Sequence, residues 1–202
     1  MKNDKYIVWD LETTGFRPEH DAIIEIGMMI VDGDKVERKA WLLNHDIEIP
    51  EKITELTTIT KELLDKDGEN PAECLEAFIK EIMVAETNVT HNGIAFDIPF
   101  ILGAVKKHLH YTADQEAELR AHLLMTAIDT CILIKGRKLK IGMEPGEKFR
   151  HYANRVKDIR AKGVKSNLTT VCEEMEIKIN ESNRHRALGD VELTNQVYIK
   201  TL

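Results

Sequence analysis

Long apolar runs are missing from this sequence. Nowhere do eighteen apolar residues follow one another, which excludes a membrane-spanning helix, and the segment MKNDKYIVWDLE meets charge too soon to act as a secretory leader. Cysteine is scarce. Cys74, Cys131 and Cys172 are odd in number, far apart and set in apolar patterns, which argues against a disulfide or zinc site. Free thiols of this kind suit a reducing compartment, and the expectation is a cytoplasmic protein. Repeats, low-complexity segments and Gly- or Pro-rich linkers are also absent. With 202 residues, 43% of them hydrophobic, the chain has the makings of one sizeable core, so a single domain spanning 1–202 is expected.

Positive charge is in short supply overall. The formal charge of −7 ordinarily disfavours a nucleic-acid partner, because phosphate binding is largely electrostatic. Its distribution reverses that inference. Residues 135–165 hold eleven lysines and arginines against three acids, a local +8 that leaves −15 on the remainder. Phe149 and Tyr152 are interleaved there, the composition of a basic insertion that contacts phosphates and stacks on bases. The alternative is a solvated surface insertion.

What is present begins with KYIVW, a buried-strand pattern that runs into DLETTG. On a strand, residues i and i+2 share a face, so Asp10 and Glu12 stand side by side. Two like charges about 4 Å apart repel by roughly 4 kcal/mol at an effective dielectric near 20. Either a cation sits between them or Glu12 turns to solvent at the strand end.

Downstream, AIIEIGMMIVDGDKVERKAWLL reads as two strands joined at Asp32 and Gly33. Asn70 and Pro71 then start a helix carrying Leu75, Phe78, Ile79, Ile82 and Met83 at three- and four-residue steps. TNVTH is a short strand, helices follow at about 98–109 and 115–124, and AIDTCILI is strand-like. Two more helices, at about 167–175 and at the chain's end, complete an α/β pattern with a mixed sheet.

Three further candidates lie on this frame. Asp97, in HNGIAFD, sits at a loop-to-helix transition, where acids also serve simply as caps. Asp190, in HRALGDVELT, lies two turns into the last helix. His185 precedes that helix and is either a base beside the acids or a surface residue. Four carboxylates gathered at strand ends and helix starts need cations. Hard oxygen donors in that number suit Mg²⁺ or Mn²⁺, and two ions together serve phosphoryl displacement.

With DLETTG (Asp10, Glu12), HNGIAFD (Asp97) and HRALGD (His185, Asp190) in this order, the sequence resembles the DEDDh family of 3′ to 5′ exonucleases. That family includes proofreading subunits of bacterial replicative polymerases, RNase T and oligoribonuclease. IIEIG, ITELTTIT, AIDT and SNLTTVCEEMEI also read as family landmarks, so the resemblance spans nearly the whole chain. Arg186 stands where the sister group has tyrosine. Thr58 replaces a frequent glycine, and Val191 a smaller alanine.

The resemblance implies an RNase H-like fold, a mixed sheet of about five strands flanked by helices. It implies two Mg²⁺ or Mn²⁺ ions on Asp10, Glu12, Asp97 and Asp190, and His185 as the base. The expected reaction removes nucleoside 5′-monophosphates from the 3′ end of a single strand, with DNA placed slightly ahead of RNA. Thr13, Thr14 and Phe16 are implied to hold the terminal nucleotide, with Asn92 and Phe96 as weaker candidates. Phe96 is read more as core than as a stacking ring, and Trp9 wholly as core. A DNA polymerase is a possible partner and a membrane is not. Two alternatives stand beside this reading. One is a catalytically idle module that binds nucleic acid or polymerase. The other is a Mg²⁺-dependent phosphatase, disfavoured because it wants aspartate in place of Glu12 and a phosphate-binding lysine.

Overall fold

The computed structural model describes residues 5–180 and 184–202, so the leader reading at residues 1–4 lies partly outside the described residues. A five-stranded mixed sheet in the order β3-β2-β1-β4-β5 carries the architecture. The apolar alternation of β1 (Lys5–Thr13) buries Ile7, Trp9 and Leu11 on one side and Val8 on the other. It pairs antiparallel with β2 (Ile23–Asp32), which pairs with β3 (Lys35–Leu42). The hairpin loop is Gly33–Asp34, one residue beyond the expected position. Gly33 has φ of 59°, a conformation glycine adopts without strain.

On the other side β1 runs parallel to β4 (Asn88–Thr90), and β4 to β5 (Ala127–Asp129). Its pairing with β4 ends at Val8, so Asp10 and Glu12 project beyond β4. This is where parallel strands open a crevice at their carboxyl ends. α3 (Pro71–Val84) and α4 (Asp97–His108) cover one face with Leu75, Phe78, Ile82, Ile101 and Val105. α9 (Ala187–Thr201) crosses the other, placing Val191 against Val8, Met29 and Val89. The bulk of Val191 is thus absorbed in the core. Trp9 is fully buried and donates to Asn88 Oδ1, tying β1 to β4.

Two short helices, α1 (Glu51–Thr57) and α2 (Lys61–Asp67), escaped the periodicity because seven residues carry too little pattern. Thr58 caps α1 in the left-handed region, with φ of 62°. This explains the glycine often found there, since a β-branched residue is strained in that conformation. Thr58→Gly is expected to stabilise the protein by roughly 0.5–1 kcal/mol, net of the added chain entropy. Urea denaturation checks this, and an unchanged or lower midpoint would refute it.

AIDTCILI is corrected. Only Ala127–Asp129 is strand, after which Asp129 accepts from the Ile132 amide and starts α6 (Thr130–Leu139). The following segment was expected to be an insertion with stacking aromatics. Instead α7 (Phe149–Val156) buries Phe149 and Tyr152, 8% and 2% exposed, in a core cluster with Ile132, Ala153 and Val156. These rings are structural. α5 (Ala113–Thr126) and α8 (Leu168–Glu174) complete the helices used below. No described helix is long and apolar enough to cross a membrane.

Candidate active site

The site grows from the end of β1. Asp10 pairs across the sheet with Gly27, and Glu12 with Glu25. Gly27 has no substitute: a Cβ there would meet the Ala187 carbonyl carbon at 2.5 Å and the Leu188 nitrogen at 2.7 Å. That close approach brings the N-terminus of α9, with its positive dipole end, against β2, the neighbour of the strand that carries Asp10 and Glu12.

Glu25 holds the helix in place. It is 3% exposed, its Oε1 lies 2.6 Å from Arg186 Nη2 and 3.1 Å from Arg186 Nε, and its Oε2 accepts from the Ala187 amide at 2.8 Å. A side chain from β2 thereby supplies the cap that α9 lacks locally. Asp190 falls in the first turn of α9, not two turns in, because the helix begins at Ala187.

One oxygen each from Asp10, Glu12 and Asp190 lie within 4.8 Å of one another. Asp97 is outside that trio but adjacent. It opens α4, is buried, and is hydrogen-bonded by the Leu11 amide between the two β1 acids. Asp129 anchors the approach to it, accepting from the amides of Asn92 at 2.9 Å and Ile94 at 3.1 Å. Asn92 has a left-handed φ of 68° and lines, with Asp10, His91, Cys131, Asn167, Leu168 and Asp190, a cavity of about 410 Å³.

Electrostatics mark this cluster. Burial, then Asp97, Glu12 and Asp190, raise the Asp10 carboxyl well above its ordinary value. Burial, then Asp190 and Glu25, push Glu12 to about 8. Asp97 rises to about 7 through burial and Asp129. Oδ1 of Asp97 and Oδ1 of Asp190 are both buried without a hydrogen-bond partner among the described residues. Arg186 is engaged chiefly by Glu25, with Glu12 a lesser influence on it. An all-oxygen set with orphaned carboxylate atoms fits a hard divalent cation.

His185 lies outside α9 with φ of 59°, its Nδ1 3.4 Å from Arg184 Nη1. Around the other rim, Thr13 Oγ1 donates to the Gly15 carbonyl, and Thr14 Oγ1 accepts from the Ala22 amide. Both hydroxyls are committed to shaping the loop. That loop leaves Phe16 83% exposed, its edge towards the Phe96 ring at 6.2 Å. Phe96 rests in turn on Phe100 and on the main core. Glu25, Asp129 and Arg184 were missed from sequence. IIEIG and AIDT flagged the first two segments, but the partners of those acids lie 161 and 37 residues away.

The sequence matches the exonuclease family model over residues 7–138. The chain is 26% identical over 204 residues to the "3'-5' exonuclease DinG" of Bacillus subtilis, covering 100% of this chain and 18% of that protein. It is 30% identical over 199 residues to the PolC-type DNA polymerase III of Caldanaerobacter subterraneus, covering 98% and 12%. The chain therefore spans less than a fifth of the length of these relatives. Among solved structures, E. coli Exonuclease I in complex with a dT13 oligonucleotide aligns with a TM-score of 0.72 at 16% identity, covering 98% of this chain and 40% of that one. That likeness supports the RNase H-like fold.

Proposed function

Because the chain belongs to the exonuclease family, we propose that it acts as a single domain hydrolysing phosphodiester bonds at the 3′ end of single-stranded nucleic acid. The products are nucleoside 5′-monophosphates. The observation that carries this reading is the convergence of three carboxylates from β1 and α9, two of them (Asp10 and Asp190) lining an open cavity, beside a fourth, Asp97. Asp10, Glu12 and Asp190, with Asp97, would hold two Mg²⁺ or Mn²⁺ ions. Such ions, when bound, generate a nucleophile from water and neutralise charge on the phosphate.

The chain's own groups do the rest. His185, outside the helix and beside Arg184, which itself pairs with Asp190, accepts the proton of the attacking water. The loop closed by Thr13 and Thr14 offers backbone groups to the last nucleotide, with their hydroxyls serving its shape. Phe16 presents its exposed face to the terminal base, braced by Phe96. Asn92 acts through its backbone turn in the cavity wall. DNA is favoured by the oligonucleotide bound to Exonuclease I, and a polymerase partner by the PolC-type relatives.

Equal-sequence DNA and RNA oligonucleotides labelled at the 5′ end test this directly. With Mg²⁺ or Mn²⁺ the label is expected on a ladder shortening from the 3′ end, faster on DNA. Binding without any shortening would establish the idle module instead.

The basic segment divides into two groups. Lys135 donates to the Lys157 carbonyl, Lys138 to the Lys165 carbonyl, and Arg155 pairs with Glu147, so these three brace the fold. Arg150, Lys157, Arg160 and Lys162 are exposed. Arg150, with His151 and Asn154, lines a groove of about 330 Å³ next to Ile94, two residues beyond Asn92. This groove is proposed as the route of the strand away from the site. Replacing those four by glutamine is expected to flatten the dependence of log K on log salt by up to about 3, at roughly 0.7 per lost phosphate contact. An unchanged slope would make the segment a solvated surface.

A further inference from the structure

The acid trio already has a cation on it. Arg184 Nη1 pairs with Asp190 Oδ2, and Nη2 donates to Thr169 Oγ1 at 3.1 Å, just after α8 begins at Leu168. Its side chain is 12% exposed and that of Asp190 11%. Its charge also opposes the rise of the Asp10 and Glu12 carboxyls.

We propose that Arg184 is a displaceable counter-ion: it occupies an Asp190 oxygen wanted by a divalent cation, so guanidinium and metal compete and Arg184 sets the metal concentration at which the site fills. This rests on the reading of the acid cluster as a metal site.

Three features make the arginine replaceable. First, its hold outside the acid is slight. Among the described residues Nε is buried with no hydrogen-bond partner, and Thr169 contributes one neutral hydroxyl. A guanidinium placed for permanent structure normally presents two N–H groups to one carboxylate, as Arg186 does to Glu25 through Nε and Nη2, whereas Arg184 gives Asp190 Nη1 alone. Second, the charges do not match. One positive charge faces Asp10, Glu12 and Asp190, whose oxygens lie within 4.8 Å of one another. A compact divalent ion can touch all three oxygens, whereas a planar fork lying on Asp190 cannot. Third, Asp190 Oδ1 has no hydrogen-bond partner among the described residues even with the arginine in place, so the pair leaves this carboxylate half used. Release of Arg184 leaves its charge near His185, whose Nδ1 is 3.4 Å from Nη1.

The test is direct titration of the whole chain with Mn²⁺, without nucleic acid, reading free Mn²⁺ by electron paramagnetic resonance. Arg184→Gln is expected to bind Mn²⁺ about tenfold to hundredfold more tightly than the wild type, the range for removing a charge-assisted contact that the metal must otherwise break. Arg184→Lys, which keeps the charge, is expected to stay within about threefold of wild type. Thr169→Val weakens only the outer anchor and is expected to tighten Mn²⁺ binding by about twofold to fivefold, so the inference remains testable if Arg184→Gln does not fold. Unchanged or weaker Mn²⁺ binding in both Arg184→Gln and Thr169→Val would overturn the competition. A rise in KM with unaltered Mn²⁺ affinity would do the same, making Arg184 a phosphate-holding residue. Asp10→Asn separates the two readings: if the wild type binds Mn²⁺ no better than Asp10→Asn, the metal site itself fails. If only the Arg184 and Thr169 variants behave like the wild type, the counter-ion alone fails.

Discussion

His185→Ala is expected to lower turnover by about 10²- to 10⁴-fold, the scale of a lost general base, while leaving Mn²⁺ affinity within about twofold. The fold should survive because α9 has anchors of its own. That helix is fixed by the Glu25 contacts to Arg186 and Ala187 and by the bare Cα of Gly27, none of which involves the imidazole. Single-turnover cleavage of a 5′-labelled oligonucleotide checks the prediction. A loss below about tenfold would remove His185 from proton transfer, and a large loss with a collapsed melting temperature would assign it a structural part.

Asp10→Asn is expected to abolish both cleavage and the response to metal, yet to make the protein more stable at pH 8 in EDTA. The sign follows from the buried acids. Glu12 and Asp97 are pushed to about 8 and about 7, and Asp10 is raised as well, in each case chiefly by burial. Unfolded carboxyls titrate near 4. Below that pH both states keep their protons, and the fold suffers no penalty. Between about 4 and 8 the folded chain binds more protons than the unfolded one, so stability falls as pH rises. Asp65 and Glu147, held below the usual range by Lys61 and Arg155, act in the opposite sense but at lower pH.

Each unit of raised pKa corresponds to about 1.4 kcal/mol, and a chain of this size shifts by roughly 2–4 °C per kcal/mol. Melting temperature in EDTA should therefore drop by several degrees from pH 5 to pH 8. Saturating Mn²⁺ should restore it, adding about 2.7 kcal/mol at a hundred times its dissociation constant. Asp10→Asn should show a flatter pH profile and no Mn²⁺ response. A wild-type melting temperature that climbs over that pH range in EDTA would contradict this account.

Much of the site was legible because its acids sit where local signals are strongest. Asp10 and Glu12 end an apolar strand, Asp97 opens a helix, and Asp190 lies in the first turn of another. The hairpin and the Asn70–Pro71 helix start were readable for the same reason. Signals that depend on distant partners were not. AIDTCILI looks extended until the Asp129 side chain caps Ile132, after which Ile132 and Ile134 fall on opposite sides of a helix and pack into separate clusters. Phe149 and Tyr152 looked like stacking groups among lysines, but with Ala153 and Val156 they form a helical stripe that buries against Ile132. Charge density concealed that stripe. Glu25 reads as one polar residue in an apolar strand, and only the folded chain shows it gripping a helix 161 residues further on.

The sheet order places Asp10 on its central strand, while Asp190 arrives on the final helix, Ala187–Thr201. A polypeptide that stops before Ala187 thus carries all five strands and three of the four acids, but not the helix that completes the trio. Until Ala187–Thr201 packs against β1 and β2, neither Asp190 nor the Glu25–Arg186 pair is in place, so the trio of carboxylates is assembled only as this helix docks.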